Sequence, residues 1–197
     1  MTTENGGRVW KRVPASALPP ALENEGAFAA SGTNIAVFGS NAWIGTGAGR
    51  KARVLRTSDR GRTWRISDTP LVAGPSAGIF SVAFRDRNHG VVVGGDYKKE
   101  NEAVANLAMT SDGGATWALA KGLSGFRSAV AYVPGANSLI AVGPSGTDYS
   151  KDDGRTWERL NGPGFDTVSF AQLNKGKAVG WAAGADGRVG KLDLSGQ

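Results

Sequence analysis

The chain has 197 residues, enough for one sizeable core, and carries 23 Lys and Arg against 17 Asp and Glu, a formal net charge of +6 that serves solubility. With no cysteine and one histidine, disulfides, thiolate catalysis, cysteine-ligated zinc and a histidine-rich metal site are all excluded. Thirty glycines beside ordinary apolar content point to many short strands joined by turns, and no run approaches the ~20 apolar residues of a membrane span.

Residues 3–10, TENGGRVW, open the chain with a pattern that returns three times: TSDRGRTW (57–64), TSDGGATW (110–117) and SKDDGRTW (150–157). Each full copy has a hydroxyl residue, Asp two on, Gly two later, then Thr-Trp. Asp59, Asp112 and Asp152 can bond their own backbone, while Gly61, Gly114 and Gly154 can take positive φ. Polar residues with Gly between β-prone runs form a hairpin turn, and Trp64, Trp117 and Trp157 open the next strand. The first copy has Asn5 for Asp and almost no chain before it, so residues 1–13 look like the outer strand of a preceding or closing repeat. The opening residues show no apolar signal-peptide core.

After a connection punctuated by Pro14, Pro19 and Pro20, four units follow at about 28–66, 79–119, 126–160 and 165–193. Each runs from an apolar inner strand through a glycine-ended second strand and a third strand to the Asp turn and Trp strand; the fourth lacks the last two. The Asp turns recur at separations of 53 (59 to 112) and 40 (112 to 152) residues, in the range of four-stranded propeller blades of ~40–50 residues. Helical periodicity is weak, and 99–109 reads as a loop entering a strand. The expected fold is an all-β propeller of four-stranded antiparallel blades in one domain, 1–197. About four blades are present, as a closed ring completed by 9–13 or as part of a larger ring. The tryptophans are expected to wedge between neighbouring blades.

The three Asp turns, with GFDTVSFAQLNKGKAVGWAAGADGRVGKL, ALPPALENEGAFAASGTNIAVFG, SAGIFSVAFRDRNHGVVVGGDYKK and AVAYVPG, make the chain resemble BNR/Asp-box propellers. It is most similar to bacterial relatives of the photosystem II stability/assembly factor family, sometimes labelled oxidoreductases. That resemblance implies a six- or seven-bladed ring of which this is a C-terminal portion, and an extracytoplasmic, periplasmic-type location. The Asp turn marks the fold and leaves function open, since sialidases carry it too.

Each candidate for chemistry has a structural counterpart. The three aspartates sit in separate repeats and read as turn caps, not metal ligands or catalysts. His89 lies in a short turn, Arg87-Asn88-His89-Gly90, unsuited to a Ser-His-acid triad. The run Gly45-Thr46-Gly47-Ala48-Gly49-Arg50 lacks the glycine and following helix of a dinucleotide fingerprint, so no cofactor is expected. An Arg-Ile-Pro motif and a Tyr–Glu pair, which resemblance to sialidases would require, are missing. A glycosidase or redox enzyme is therefore the alternative to a non-catalytic binding or scaffold propeller. The face carrying loops 45–53, 94–106 and 143–149 is the expected binding surface, with Phe80, Arg127 and Asp166 at the channel mouth. Arg50, Lys51, Tyr97, Lys98, Lys99, Arg127 and Tyr149 form the candidate aromatic-basic patch there, suited to an acidic protein segment or another polyanion. Nucleic acid is disfavoured because the basic residues of 50–65 fall on opposite faces of one blade. An open ring would also self-associate.

Overall fold

The computed structural model describes residues 1–29, 32–173 and 178–193. Positions 30–31 of the first unit and 174–177 of the fourth lie outside the described residues. Four antiparallel sheets follow one another along the chain. The first is β1 (Ile35–Phe38), β2 (Asn41–Gly45), β3 (Arg53–Thr57) and β4 (Arg65–Asp68). The second is β5 (Ala77–Phe84), β6 (Gly90–Asp96), β7 (Leu107–Thr110) and β8 (Ala118–Leu119). The third is β9 (Ala129–Tyr132), β10 (Leu139–Gly143), β11 (Gly146–Ser150) and β12 (Glu158–Leu160). The fourth holds only β13 (Thr167–Gln172), β14 (Ala178–Ala183) and β15 (Val189–Asp193) among the described residues. This is a propeller built of successive four-stranded blades, the last with three strands among the described residues.

The first strands β1, β5, β9 and β13 pack in succession, so they line the centre of an arc. Their composition follows from that position. β5 reads AGIFSVAF and β6 GVVVGGD, near-continuous apolar runs, because both faces of the second blade meet a neighbour. β1 lies at the end of the arc, and its Ile35, Val37 and Phe38 are exposed while Ala36 turns inward.

Three apolar cores separate the blades. Trp43, Val54, Ile79 and Val82 fill the first junction, Val91, Leu107, Val130 and Leu139 the second, and Ile140, Val142 and Val168 the third. Each such buried aliphatic contributes about 1.5–3 kcal/mol over an exposed one. Close approach dictates Gly45 at the end of β2: a Cβ there would stand 2.3 Å from Ile79 of the next blade. Among the described residues Trp43 is the largest fully buried side chain. Its indole stacks on Phe84 at 3.6 Å, and its Nε1 donates to the Gly113 carbonyl at 2.8 Å, pinning blade one to the second Asp turn.

One sequence expectation changes, and one of the two readings left open for the ring, closure by 9–13, is not the pairing seen. Residues 143–149 are not a long loop: Gly143 pairs with Gly146 around the two-residue connection Pro144-Ser145, and Tyr149 belongs to β11. The second Gly of that tight turn takes φ +150°, which replaces a loop by a hairpin. The segment 9–13 does not pair with β15 among the described residues. Lys11 pairs with Thr2 instead, and the Ala17 carbonyl receives the Trp64 amide at 3.2 Å, so the N-terminal hairpin lies against blade one.

Trp43→Ala should lower unfolding free energy by about 3–5 kcal/mol in urea titrations, the usual cost of emptying a buried aromatic site. An effect below 1 kcal/mol, roughly that of a surface substitution, would show that the first junction is not held this way.

Candidate partner-binding face

The three Asp turns share one hydrogen-bond pattern. In the first, Thr57 Oγ1 donates to Asp59 Oδ1 at 2.8 Å and accepts the Gly61 amide at 3.0 Å. Asp59 in turn accepts the Arg62 and Thr63 amides and the Thr63 hydroxyl, the last at 2.6 Å. Asp112 with Thr110 and Thr116, and Asp152 with Ser150 and Thr156, repeat it. Gly61, Gly114 and Gly154 sit at φ of +80°, +79° and +84°, which the turn requires. Thr3, Asn5 and Gly7 fold into the same turn, with the amide oxygen of Asn5 accepting the Val9 amide at 2.9 Å.

These bonds hold the aspartates in the ionised form. The Thr63 hydroxyl, with its amide, depresses Asp59 well below the carboxylate range. For Asp112 burial acts upward, but the Thr116 hydroxyl and amide win and bring the carboxyl down to about 2. The Thr156 hydroxyl and amide bring Asp152 to about 2 as well. With their acceptor sites occupied within their own turns, the three carboxylates act as caps.

The Trp seats follow the turns. Trp117 packs into the first junction, edge-on to Phe84, and its Nε1 donates to Ser67 Oγ at 3.3 Å. Trp157 packs into the second junction and donates to the Gly154 carbonyl at 2.9 Å. Trp64 is half-buried and bonds the Gly61 carbonyl, whereas Trp10 is 56% exposed.

The opposite end of the blades carries the β2–β3 and β6–β7 loops and the inter-blade connections. Gly47 pairs with both Gly26 and Gly78, and the Tyr97 amide donates to the Ser76 carbonyl, so both loops abut the start of β5. Here Phe28 stacks on Phe80 at 4.0 Å, Phe126 meets Phe80 edge-on at 4.7 Å, and Tyr97 stands edge-on to both Phe28 and Phe80. Tyr97 is 43% exposed, the accessible tip of this aromatic bed. Asp96 holds the adjacent turn by accepting the Lys98 amide at 2.9 Å. Hydrogen bonds from the Ser76 hydroxyl and the Lys98 amide lower its carboxyl.

Phe28 reaches the bed because its segment is stapled down. Glu25 accepts from Thr46 Oγ1, from Arg53 Nε at 2.8 Å and from Arg53 Nη2, and caps the Leu22 amide. Burial opposes ionisation of Glu25, but the Arg53 and Thr46 bonds prevail and lower its carboxyl.

The candidate patch divides on inspection. Arg50, Lys51, Tyr97, Lys98 and Lys99 are exposed on this face. Lys51 pairs with Asp68 and Lys99 with Glu102, while Arg50 and Lys98 make no ion pair among the described residues. Arg127 is not at the channel mouth. Its side chain is fully buried, with Nε 2.7 Å from Asp148 Oδ2 and further bonds to Ser124 Oγ, Ser145 Oγ and the Phe126 carbonyl. A cation in an apolar junction needs such partners, so it serves the fold. Tyr149 is likewise buried, and Phe80 lies under Phe28. Asp166 is exposed but stands ahead of β13, beyond the aromatic bed; its amide and carbonyl bond Ala183 and Ser128. His89 keeps its turn role, with Nδ1 2.9 Å from Asp86. Among the described residues no group of three or more His, Asp or Glu could hold a metal ion.

Glu25, Phe28, Asp148 and Ser124 were not evident from the sequence as parts of this end. The partners that bring them here lie 21 to 52 residues away, and the only local hint was Arg127 standing within the apolar run GFRSAVAY.

No family model and no curated protein matches the chain. Among solved structures it is similar to the GH74 enzyme of Niastella koreensis, with 16% identity and a TM-score of 0.58 over 79% of this chain and 27% of that one. It is also similar to YCF48 bound to D1 peptide, with 21% identity and a TM-score of 0.55 over 93% of this chain. YCF48 from Cyanidioschyzon merolae gives 18% identity and a TM-score of 0.52 over 95%. The chain spans 58% and 57% of those two YCF48 chains. At such identities the likeness is one of fold, and it includes both binding proteins and glycosidases.

Two outcomes are expected. Asp148→Ala should cost about 3–5 kcal/mol by urea unfolding, because it strands the buried Arg127 charge; a near-neutral result would remove that pair from the frame. Because Asp112 and Asp152 are lowered on folding, their stabilisation is complete above the ordinary carboxylate pKa and fades as pH falls from about 4 through about 2. The pH dependence of the urea midpoint in that window should flatten in an Asp112→Asn/Asp152→Asn variant, and an unchanged slope would place the acid sensitivity elsewhere.

Proposed function

We propose that the chain is a non-catalytic binding or scaffold propeller, of the assembly- or stability-factor kind, that engages an acidic protein segment through its loop face. The observation that carries this reading is Tyr97, half-exposed above the Phe28–Phe80–Phe126 bed, with Lys98 and Lys99 in the same loop. A rigid aromatic over an apolar floor gives contact area at small entropic cost, and aromatic residues dominate interface hot spots. Arg50 and Lys98, which form no ion pair among the described residues, supply attraction to a carboxylate-rich chain. A likeness in fold to a propeller solved with a bound peptide supports a protein partner. An extracytoplasmic setting belongs to the same reading and rests on the family resemblance. The competing glycosidase reading needs carboxylates converging on one substrate, whereas the Asp-turn carboxylates are dispersed and saturated.

The test is fluorescence anisotropy with a labelled oligoglutamate peptide, a Gly/Ser control and a DNA duplex. The oligoglutamate should bind, weaken with added salt, and lose about tenfold in affinity in Tyr97→Ala and in Lys98→Ala, with thermal melting unchanged. Equal binding of peptide and control would refute the reading, and a preference for the duplex would replace protein by another polyanion.

A further inference from the structure

The arginines that this fold buries are matched to carboxylates. Arg53 has Glu25 and Arg127 has Asp148, and the partly buried Arg85 reaches Asp153. Arg56 and Arg65 depart from that pattern. They stand directly opposite one another in the β3–β4 register, and neither forms an ion pair among the described residues. Arg65 is exposed and Arg56 partly buried. The Nε of Arg56 is buried without a hydrogen-bond partner, and where Arg85 Nε is in the same position the Asp86 carboxylate stands 3.4 Å away. Like charges directly opposite on a sheet, with Cβ atoms about 4.5–5.5 Å apart, destabilise it, and so does an unpaired buried N–H.

The pair is particular to blade one. The positions three before and six after the turn aspartate hold Met109 and Ala118 in blade two and Tyr149 and Glu158 in blade three. Trp43 opposes Arg56 on the other side, and Ser67 opposes Val54 one alternation along, so Trp43, Arg56, Arg65 and Ser67 share a face. That face meets the second Asp turn, where Trp43 Nε1 donates to the Gly113 carbonyl at 2.8 Å and Ser67 Oγ to the Gly114 carbonyl at 2.7 Å. The turn brings no countercharge. Asp112 is engaged by the Thr110 and Thr116 hydroxyls, and Gly113 and Ala115 stand where the first turn has Arg60 and Arg62. Those two arginines, exposed between Arg56 and Arg65 in the chain, raise the local positive potential further. We propose that Arg56 and Arg65 form a site for a doubly charged tetrahedral oxyanion, a phosphate or sulfate group, at the flank of the first blade junction. Charge selects this class: two guanidinium groups call for two negative charges, and a single carboxylate leaves one unmatched. Each guanidinium fork takes two oxygens, which a tetrahedral ion can offer to both. The site lies beside the Asp turns, at the end of the blades away from Tyr97, so it is separate from the loop face.

Calorimetric titration and thermal melting of the full chain at pH 8, with ionic strength held by sodium chloride, test this. Inorganic phosphate and sulfate should each bind and, at tenfold excess over Kd, raise the melting midpoint by about 3–6 °C. The tighter of the two identifies the ion, and acetate should do neither. Arg56→Met/Arg65→Ala gives blade one the residues that blade two carries, and should lose at least about tenfold in affinity for both dianions. Arg65→Gln, at an exposed position, should lose about tenfold as well and serves alone if the double variant does not fold. A wild type that binds neither dianion overturns the proposal. Acetate acting as strongly as phosphate overturns it in favour of a carboxylate, and variants that keep wild-type affinity place the ion elsewhere on the chain.

Discussion

The first two blade junctions of this molecule depend on indole rings driven between sheets. A β-sheet of four short strands cannot bury both its faces alone, so each blade is stable only when a neighbour covers it. Trp43 and Trp117 close the first junction and Trp157 the second, each fastened by a hydrogen bond from its Nε1. The Asp turns set the angle at which Trp117 and Trp157 enter. Carboxylate, hydroxyl and glycine are therefore the mechanism by which each wedge is aimed, and their recurrence reflects geometry more than chemistry.

The loop face depends on a second constraint, the cost of burying charge. Arg127 with Asp148, and Arg53 with Glu25, are ion pairs with almost no exposure at junctions of chain segments far apart in sequence. Neither pair is a source of large net stability when compared with apolar packing, but each is intolerant of losing one member. They fix the connection after β8, and the stretch carrying Phe28, against the blade tops. The aromatic bed under Tyr97 is the visible result: three rings from three separate segments held in one cluster.

The propeller was legible from the sequence because its signals are local and repeated. Asp59, Asp112 and Asp152, the glycines two residues on, and the closing tryptophans specify their turns within eight residues each. The exposed cations Arg50, Lys51, Lys98 and Lys99 were legible for the same reason, standing in glycine-rich or polar loops. Arg127 and Tyr149 were misplaced because burial is decided by partners the local pattern does not show. Asp148 lies 21 residues from Arg127, and Tyr149 turns inward only once Gly143 and Gly146 close a two-residue hairpin. The role of Glu25 was hidden similarly, since a carboxylate in a proline-flanked connection looks solvated until Arg53 is brought to it.

The arrangement of cores along the arc has a dynamic corollary. Among the described residues, blades two and three are clamped on both sides, while blades one and four each lean on a single neighbouring blade. In such a one-dimensional stack opening begins at the extremities and propagates inward. Amide protons of β6 and β10 should then be the slowest to exchange and those of β1 and β15 the fastest, so the molecule frays like a deck of cards held at its middle.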